Sequence, residues 1–255
     1  MTSLVVSQAG GRIARIQLNR LEKKNAITAE MYVQLAEALA AADADPGTRV
    51  MLLSGSKDCF TAGNDLADFL ERPPSGAGSP TWRFLELMPA LTKPVVAAVG
   101  GPAVGVGTTM LLHCDLVYAS SAARFQLPFV ALGIVPEFGS TYLLPLLAGY
   151  QRAAELLLLA QPFDAQKALE IGLITGVVEP DDLLATAEKA AARLAELPPE
   201  SLRLTKRLMK SAHAEHVRRT IEEEGRIFRE RLGSPEAKEA LRAFLEKRKP
   251  DFSRF

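Results

Sequence analysis

The chain has 255 residues, of which 48% are hydrophobic and 24% charged, ordinary proportions for one large globular domain or a domain with an appendage. Its 30 basic residues balance 30 acidic ones, so no global field draws it to nucleic acid or an anionic membrane, and neither partner is expected. It has two cysteines, Cys59 and Cys114, no signal-peptide pattern and no apolar run of spanning length, which argues against a disulfide framework and membrane insertion and points to a cytoplasmic setting with free thiols.

In chain order, the apolar runs at residues 4–7 and 12–18 read as strands. Thr28 then caps a helix over residues 29–42: Met31 lies three positions on, Tyr32, Leu35 and Leu39 fall at helical spacing, and Asp45-Pro46-Gly47 ends it. Further strands are predicted at 50–54, 95–99 and 115–119, the middle one with the β-branched apolar content of a strand buried on both faces. Glu71-Arg72-Pro73-Pro74-Ser75-Gly76-Ala77-Gly78-Ser79-Pro80 has loop composition; it reads either as a lid over a nearby site or as a surface insertion. From Ser140 onward the pattern is mainly helical, with a short apolar run at 173–178 and a break at Leu197-Pro198-Pro199, which predicts an appended helical lobe. Strand, helix, strand in repetition makes the class α/β with at least part of the sheet parallel.

Two turns point to chemistry. Strand 50–54 feeds Asp58-Cys59-Phe60-Thr61-Ala62-Gly63-Asn64-Asp65-Leu66, where Gly63 permits a tight path, Asp65 caps the next helix and the Asn64 N–H is left for a ligand. Strand 95–99 feeds Gly100-Gly101-Pro102-Ala103-Val104-Gly105-Val106-Gly107-Thr108-Thr109. Its glycines let the backbone approach a ligand closely, and the free N–H groups at its helix start stabilise developing negative charge. Each turn alone also reads as a structural corner.

The segments Phe60-Thr61-Ala62-Gly63-Asn64-Asp65-Leu66, Gly101-Pro102-Ala103-Val104-Gly105-Val106-Gly107 and His113-Cys114-Asp115, with stretches at 125–142, 169–174 and 197–210, resemble the crotonase, or enoyl-CoA hydratase/isomerase, superfamily over most of the chain. The resemblance implies a crotonase-like ββα spiral core, residues 1–197, and a C-terminal helical oligomerisation region, residues 198–255. It implies an acyl-CoA thioester whose carbonyl oxygen sits between the backbone N–H groups of Asn64 and Val106. Such an oxyanion hole contributes ~10²–10³-fold in rate per preorganised donor. Ala62, Gly63, Asp65, Leu66 and Gly105 would then line the substrate, Lys23 and Lys24 would meet CoA phosphates, and Ala26 would offer a backbone contact. Without the resemblance, the two lysines read as part of a solvated loop. CoA belongs to the substrate, so no separate cofactor is expected. No metal is expected either, since His113, or His213 with His216, offers too few convergent ligands.

Hydratases of this superfamily use two glutamates, one to activate water and one to handle the proton on the neighbouring carbon. Here Thr109 and Phe129 stand at the matching positions, and a single carboxylate occurs nearby, in Leu132-Gly133-Ile134-Val135-Pro136-Glu137-Phe138-Gly139-Ser140-Thr141. This turn resembles the Δ3,Δ2-enoyl-CoA isomerase branch, which implies that Glu137 alone carries a proton from C2 to C4 of a 3-enoyl-CoA. Phe129 and Phe138 are expected to wall an apolar pocket that makes the carboxylate a stronger base and excludes water. Taken in isolation, Glu137 also reads as the cap of a helix starting near Ser140. The other readings are a hydratase, another acyl-CoA isomerase acting on ring-opened epoxide or aromatic-derived thioesters, and a non-catalytic acyl-CoA-binding or RNA-associated scaffold. The helical runs 215–231 and 235–247 carry Val217, Ile221, Ile227, Phe228, Leu241 and Leu245, faces that must bury something. By resemblance they pack in a homotrimer or a dimer of trimers; folded back on their own core they would leave a monomer.

Overall fold

Among the residues that the computed structural model describes (3–71, 76, 78–246 and 248–255), the first half runs β1 (Val5–Gly10), β2 (Ile13–Leu18), α1 (Ala29–Ala44), β3 (Val50–Ser54), α2 (Leu66–Glu71), α3 (Pro80–Ala90), β4 (Val95–Val99), β5 (Pro102–Val104), α4 (Val106–Thr109), β6 (Leu116–Ser120) and β7 (Arg124–Gln126). The second half adds α5 (Ser140–Ala148), α6 (Tyr150–Leu159), β8 (Phe163–Asp164), α7 (Ala165–Glu170), β9 (Gly176–Val178), α8 (Leu183–Glu196), α9 (Pro199–Ser211), α10 (Ala214–Leu232) and α11 (Pro235–Leu245). The main sheet has the order β1-β2-β3-β4-β6-β9, and β5-β7-β8 form a small second sheet. Only β1 and β2 pair antiparallel in the main sheet; its other neighbours are parallel, in keeping with the α/β class.

The continuous apolar strands are explained by cover on both faces. Met51, Leu53, Val95, Ala97 and Val99 face the principal core with Leu35 and Leu39 of α1 and Phe84 and Met88 of α3. Val50, Leu52, Val96 and Ala98 face the other way, onto the alanine stripe of α8. α1 starts as its cap predicts, with the Met31 N–H donating to Thr28 Oγ1, and runs to Ala44, two residues past the expected end. Between β4 and β5 the chain turns from one sheet to the other so tightly that a Cβ on Gly101, at φ +64°, would lie 1.9 Å from the Asp58 carbonyl oxygen. Only glycine fits there.

Strands β5, β7, β8 and β9 correct the sequence reading. With two or three residues each, they are too short to show a period of two. The second half is also no lobe standing apart. β8 and β9 join the two sheets, and α8 covers the back of the main one. The buried Lys206 of α9 donates to Asp115 Oδ2 and to the Lys93 carbonyl, both at 2.7 Å. Val217, Ile221 and Phe228 of α10 join the principal core, so these apolar positions are buried within their own chain. Residues 72–75 and 77 of the expected lid lie outside the described residues. Among the described residues, no helix is long and apolar enough to cross a membrane.

Candidate active site

The segment after β3 is held on both sides by backbone bonds. Ala62 N–H donates to Lys24 O (2.9 Å), Ile27 N–H to Gly63 O (2.8 Å) and Asp65 N–H to Ile27 O (2.9 Å), while Val104 N–H donates to Thr61 O (3.1 Å). The pattern skips Asn64, and no described residue accepts from its N–H. Gly63, at φ +90°, brings this segment against the next one: a Cβ there would stand 2.8 Å from the Val104 carbonyl oxygen. On the facing segment Gly105 N–H is taken by Gln126 O. Val106 follows as the first residue of α4, and no described residue accepts from its N–H either. Two unpaired amides from neighbouring turns, one of them in a buried residue, make a site for an oxygen that gains charge.

Glu137 lies in the turn before α5, where Phe138 (φ +65°) and Gly139 (φ +72°) are both left-handed. For phenylalanine this conformation costs about 1–3 kcal/mol and must be over-determined by its surroundings. The Phe138 ring packs on Phe84 and His113, and His113 Nε2–H donates to the Phe138 carbonyl at 2.8 Å. Burial pushes the His113 pKa down to about 3, so the imidazole is neutral there. Glu137 is 5% exposed, and its Oε1 has no hydrogen-bond partner among the described residues. It faces a cavity of about 20 Å³ walled by Trp82, Leu85, Phe138, Ile221 and Phe228, room for about one water. Desolvation, with the negative charge of Glu224 adding to it, raises its pKa to about 8. The capping alternative fails: Glu137 contributes only its main-chain carbonyl to Ser140, and the side chain that closes the start of α5 is Glu224.

Tyr32 links the two parts. Its hydroxyl donates to Asn64 Oδ1 at 2.6 Å, its ring packs on Phe84, and burial together with the charge of Glu137 holds the phenol well above its ordinary pKa. Glu137 is therefore within electrostatic reach of a side chain bonded to Asn64.

The other sequence-predicted residues fall around this centre. Lys23 and Lys24 are exposed, on a loop whose backbone meets Ala62. Ala26 donates to Lys23 O and accepts from Arg20 Nη1. The Asp65 carboxylate is already engaged: it caps α2 through the Ala67 and Asp68 N–H groups and pairs with Arg20 at 2.6 Å. Leu66, the first residue of α2, is half-buried. Phe129 is buried in the principal core but does not line the cavity that Phe138 shares with Glu137.

Sequence reasoning missed three contributors. Asn25, left-handed and fully buried, donates to the Phe60 carbonyl and accepts from Arg20 N–H, fixing the loop beside the Asn64 turn. Its signal was an asparagine, which tolerates positive φ, ahead of a helix cap. Tyr32 reads as core by periodicity, and only its hydroxyl hints at more. Glu224 stands on the buried stripe Val217, Ile221, Glu224, Phe228 of α10, a carboxylate at an apolar position, which the spacing could have exposed.

A family model described as enoyl-CoA hydratase/isomerase matches residues 8–254. The chain is 36% identical over 260 residues to 1,2-epoxyphenylacetyl-CoA isomerase of Escherichia coli K12, covering 99% of each. It is 36% identical over 253 residues to enoyl-CoA delta isomerase 2 of Rattus norvegicus, covering 97% of this chain and 64% of that protein. The crystal structure of an enoyl-CoA hydratase/isomerase from Pseudoalteromonas atlantica T6c matches with a TM-score of 0.94 at 43% identity, over 98% of this chain and 100% of that one. Hydratases and isomerases both occur among the relatives.

Proposed function

We propose, for a chain that belongs to the enoyl-CoA hydratase/isomerase family, that its reaction is the shift of a 3-enoyl-CoA double bond into conjugation with the thioester. One observation carries this reading: Glu137 is a buried carboxyl with an unpaired oxygen, while threonine and phenylalanine occupy positions 109 and 129, where a hydratase would have its glutamates. In the proposed cycle the ionised Glu137 takes a proton from C2, and the electron pair moves into the thioester to give a dienolate. The dienolate oxygen accepts from the Asn64 and Val106 N–H groups. The neutral Glu137 then returns the proton to C4, which leaves the double bond between C2 and C3. Desolvation strengthens the base and keeps out the water that hydration would consume. Lys23 and Lys24 are proposed to meet the CoA phosphates.

The match to an epoxyphenylacetyl-CoA isomerase supports a second reading, in which the same carboxyl and amides act on an aromatic-derived thioester. Incubation with 3-hexenoyl-CoA, 2-hexenoyl-CoA and an epoxyphenylacetyl thioester in parallel separates the readings. Conjugation of the first without water addition to the second is expected. Hydration of 2-hexenoyl-CoA alone would overturn the isomerase assignment, and turnover of the epoxide alone would establish the second reading. A homotrimer or pair of trimers is the assembly proposed from the family resemblance, and light scattering on the eluting protein tests it.

A further inference from the structure

The N-terminus of α5 has no capping side chain of its own, because its cap residue is Gly139. Its open donors are taken by Glu224 of α10, 85 residues further along the chain. Gly139 N–H donates to Glu224 Oε2 at 2.6 Å, and Thr141 donates to Oε1 through its N–H at 2.8 Å and its hydroxyl at 2.6 Å. The carboxylate is 5% exposed, so these bonds replace its water. Immediately before them lies the left-handed Phe138-Gly139 pair, a conformation that persists only where its surroundings enforce it.

We propose that Glu224 is a positioning residue for Glu137: it clamps the turn at residues 137–139 to α10 and, in its ionised form, sets a negative charge near the carboxyl group that moves the proton. This inference rests on the proton-shuttle reading and deepens it by naming what holds the base. Groups from three elements face the Glu137 turn. Tyr32 of α1 and His113 of the turn after α4 are buried and neutral. On α10, Arg229 lies over the Trp82 ring and lines the same cavity, and Glu224, whose own pKa burial raises to about 7, adds its like charge, once ionised, to the burial that holds a proton on Glu137.

The test compares Glu224→Gln and Glu224→Asp with the parent in two measurements. One is the pH profile of kcat/KM with 3-hexenoyl-CoA. The other is the titration of the Glu137 side-chain carbon by NMR in the unliganded protein, assigned through Glu137→Gln. Glutamine keeps an acceptor but loses the charge, so the acid limb and the carbon titration move down together by roughly one pH unit, with little change in KM. Aspartate keeps the charge but cannot span both donors, so kcat falls several-fold while the limb stays near its parent position. An unchanged Glu137 titration in Glu224→Gln overturns the proposal. If the parent turns over no 3-enoyl-CoA, the isomerase reading falls, and the carbon titration still decides whether Glu224 acts on Glu137. If the glutamine variant does not fold, Thr141→Val gives a smaller shift in the same direction, and no shift there overturns the proposal equally.

Discussion

At the oxyanion corner the groups that would meet a thioester are backbone amides, held by bonds among residues 24–27, 61–65 and 102–105. At the Glu137 turn the proposed working group is one side chain, on a turn held in a strained conformation by His113, by Phe84 and by a carboxylate 85 positions from Gly139. The first region depends on the path of the chain and tolerates most changes of side chain. The second depends on the identity of one side chain and on its burial. On the proposed mechanism such a site separates where charge is stabilised from where the proton is carried, so each can be broken alone.

The largest effect is expected from Glu137→Gln, which preserves shape and removes the base; kcat should fall by ~10²–10⁴-fold, the range for a positioned general base. A steady-state assay with 3-hexenoyl-CoA measures it, and near-parental activity would refute the shuttle. Gly63→Ala attacks the other region through the backbone. Its methyl would press on Val104 O at 2.8 Å and sit at φ +90°, so a loss of ~10²-fold in kcat is expected, as for one displaced oxyanion donor, with a lower melting temperature.

The burial of the Glu137 carboxyl should appear as pH-dependent stability. The Glu137 carboxyl has an ordinary value of 4.5 and is raised to about 8 in the fold. Between these values the unfolded chain has lost the proton that the folded chain keeps. The contribution is therefore complete below the lower value and is lost as pH climbs to the upper one. Glu137→Gln escapes this loss, so its stability relative to the parent should rise from pH 5 to pH 8 by on the order of 3–4 kcal/mol, roughly ten degrees in melting temperature. Parallel melting curves across that range would contradict the buried, protonated carboxyl.

Tyr32→Phe removes the bond to Asn64 Oδ1 and should cost about 1 kcal/mol, a several-fold drop in kcat/KM. The smallest change is expected from Val106→Ala: the donor is the amide, and kcat should stay within about threefold once lost packing is allowed for. A large kcat defect in this variant would mean that the side chain, not the peptide group, does the work.

These contrasts track what was legible beforehand. The strands at 50–54 and 95–99, the Thr28 cap and the glycine turns all appear where their local chemistry puts them. The short strands β5, β7, β8 and β9 did not, because pairing across the fold, not periodicity, makes them strands. The Asn64 N–H is readable from its turn, whereas Val106 and Glu137 follow from the family resemblance. Tyr32 and Glu224 follow from neither, since their roles come from contacts 32 and 85 residues away.

The order of residues alone determined which backbone segments turn sharply, because glycine placement, caps and apolar runs act over a few neighbouring positions, while bonds to residues 24–27, 104 and 126 decided which N–H groups those turns leave open. Tertiary packing decided that Glu137 is buried, that its Oε1 has no partner among the described residues, and that a second carboxylate acts on it. Desolvation and charge are properties of everything within a few ångströms, and here those neighbours come from α1, α3 and α10.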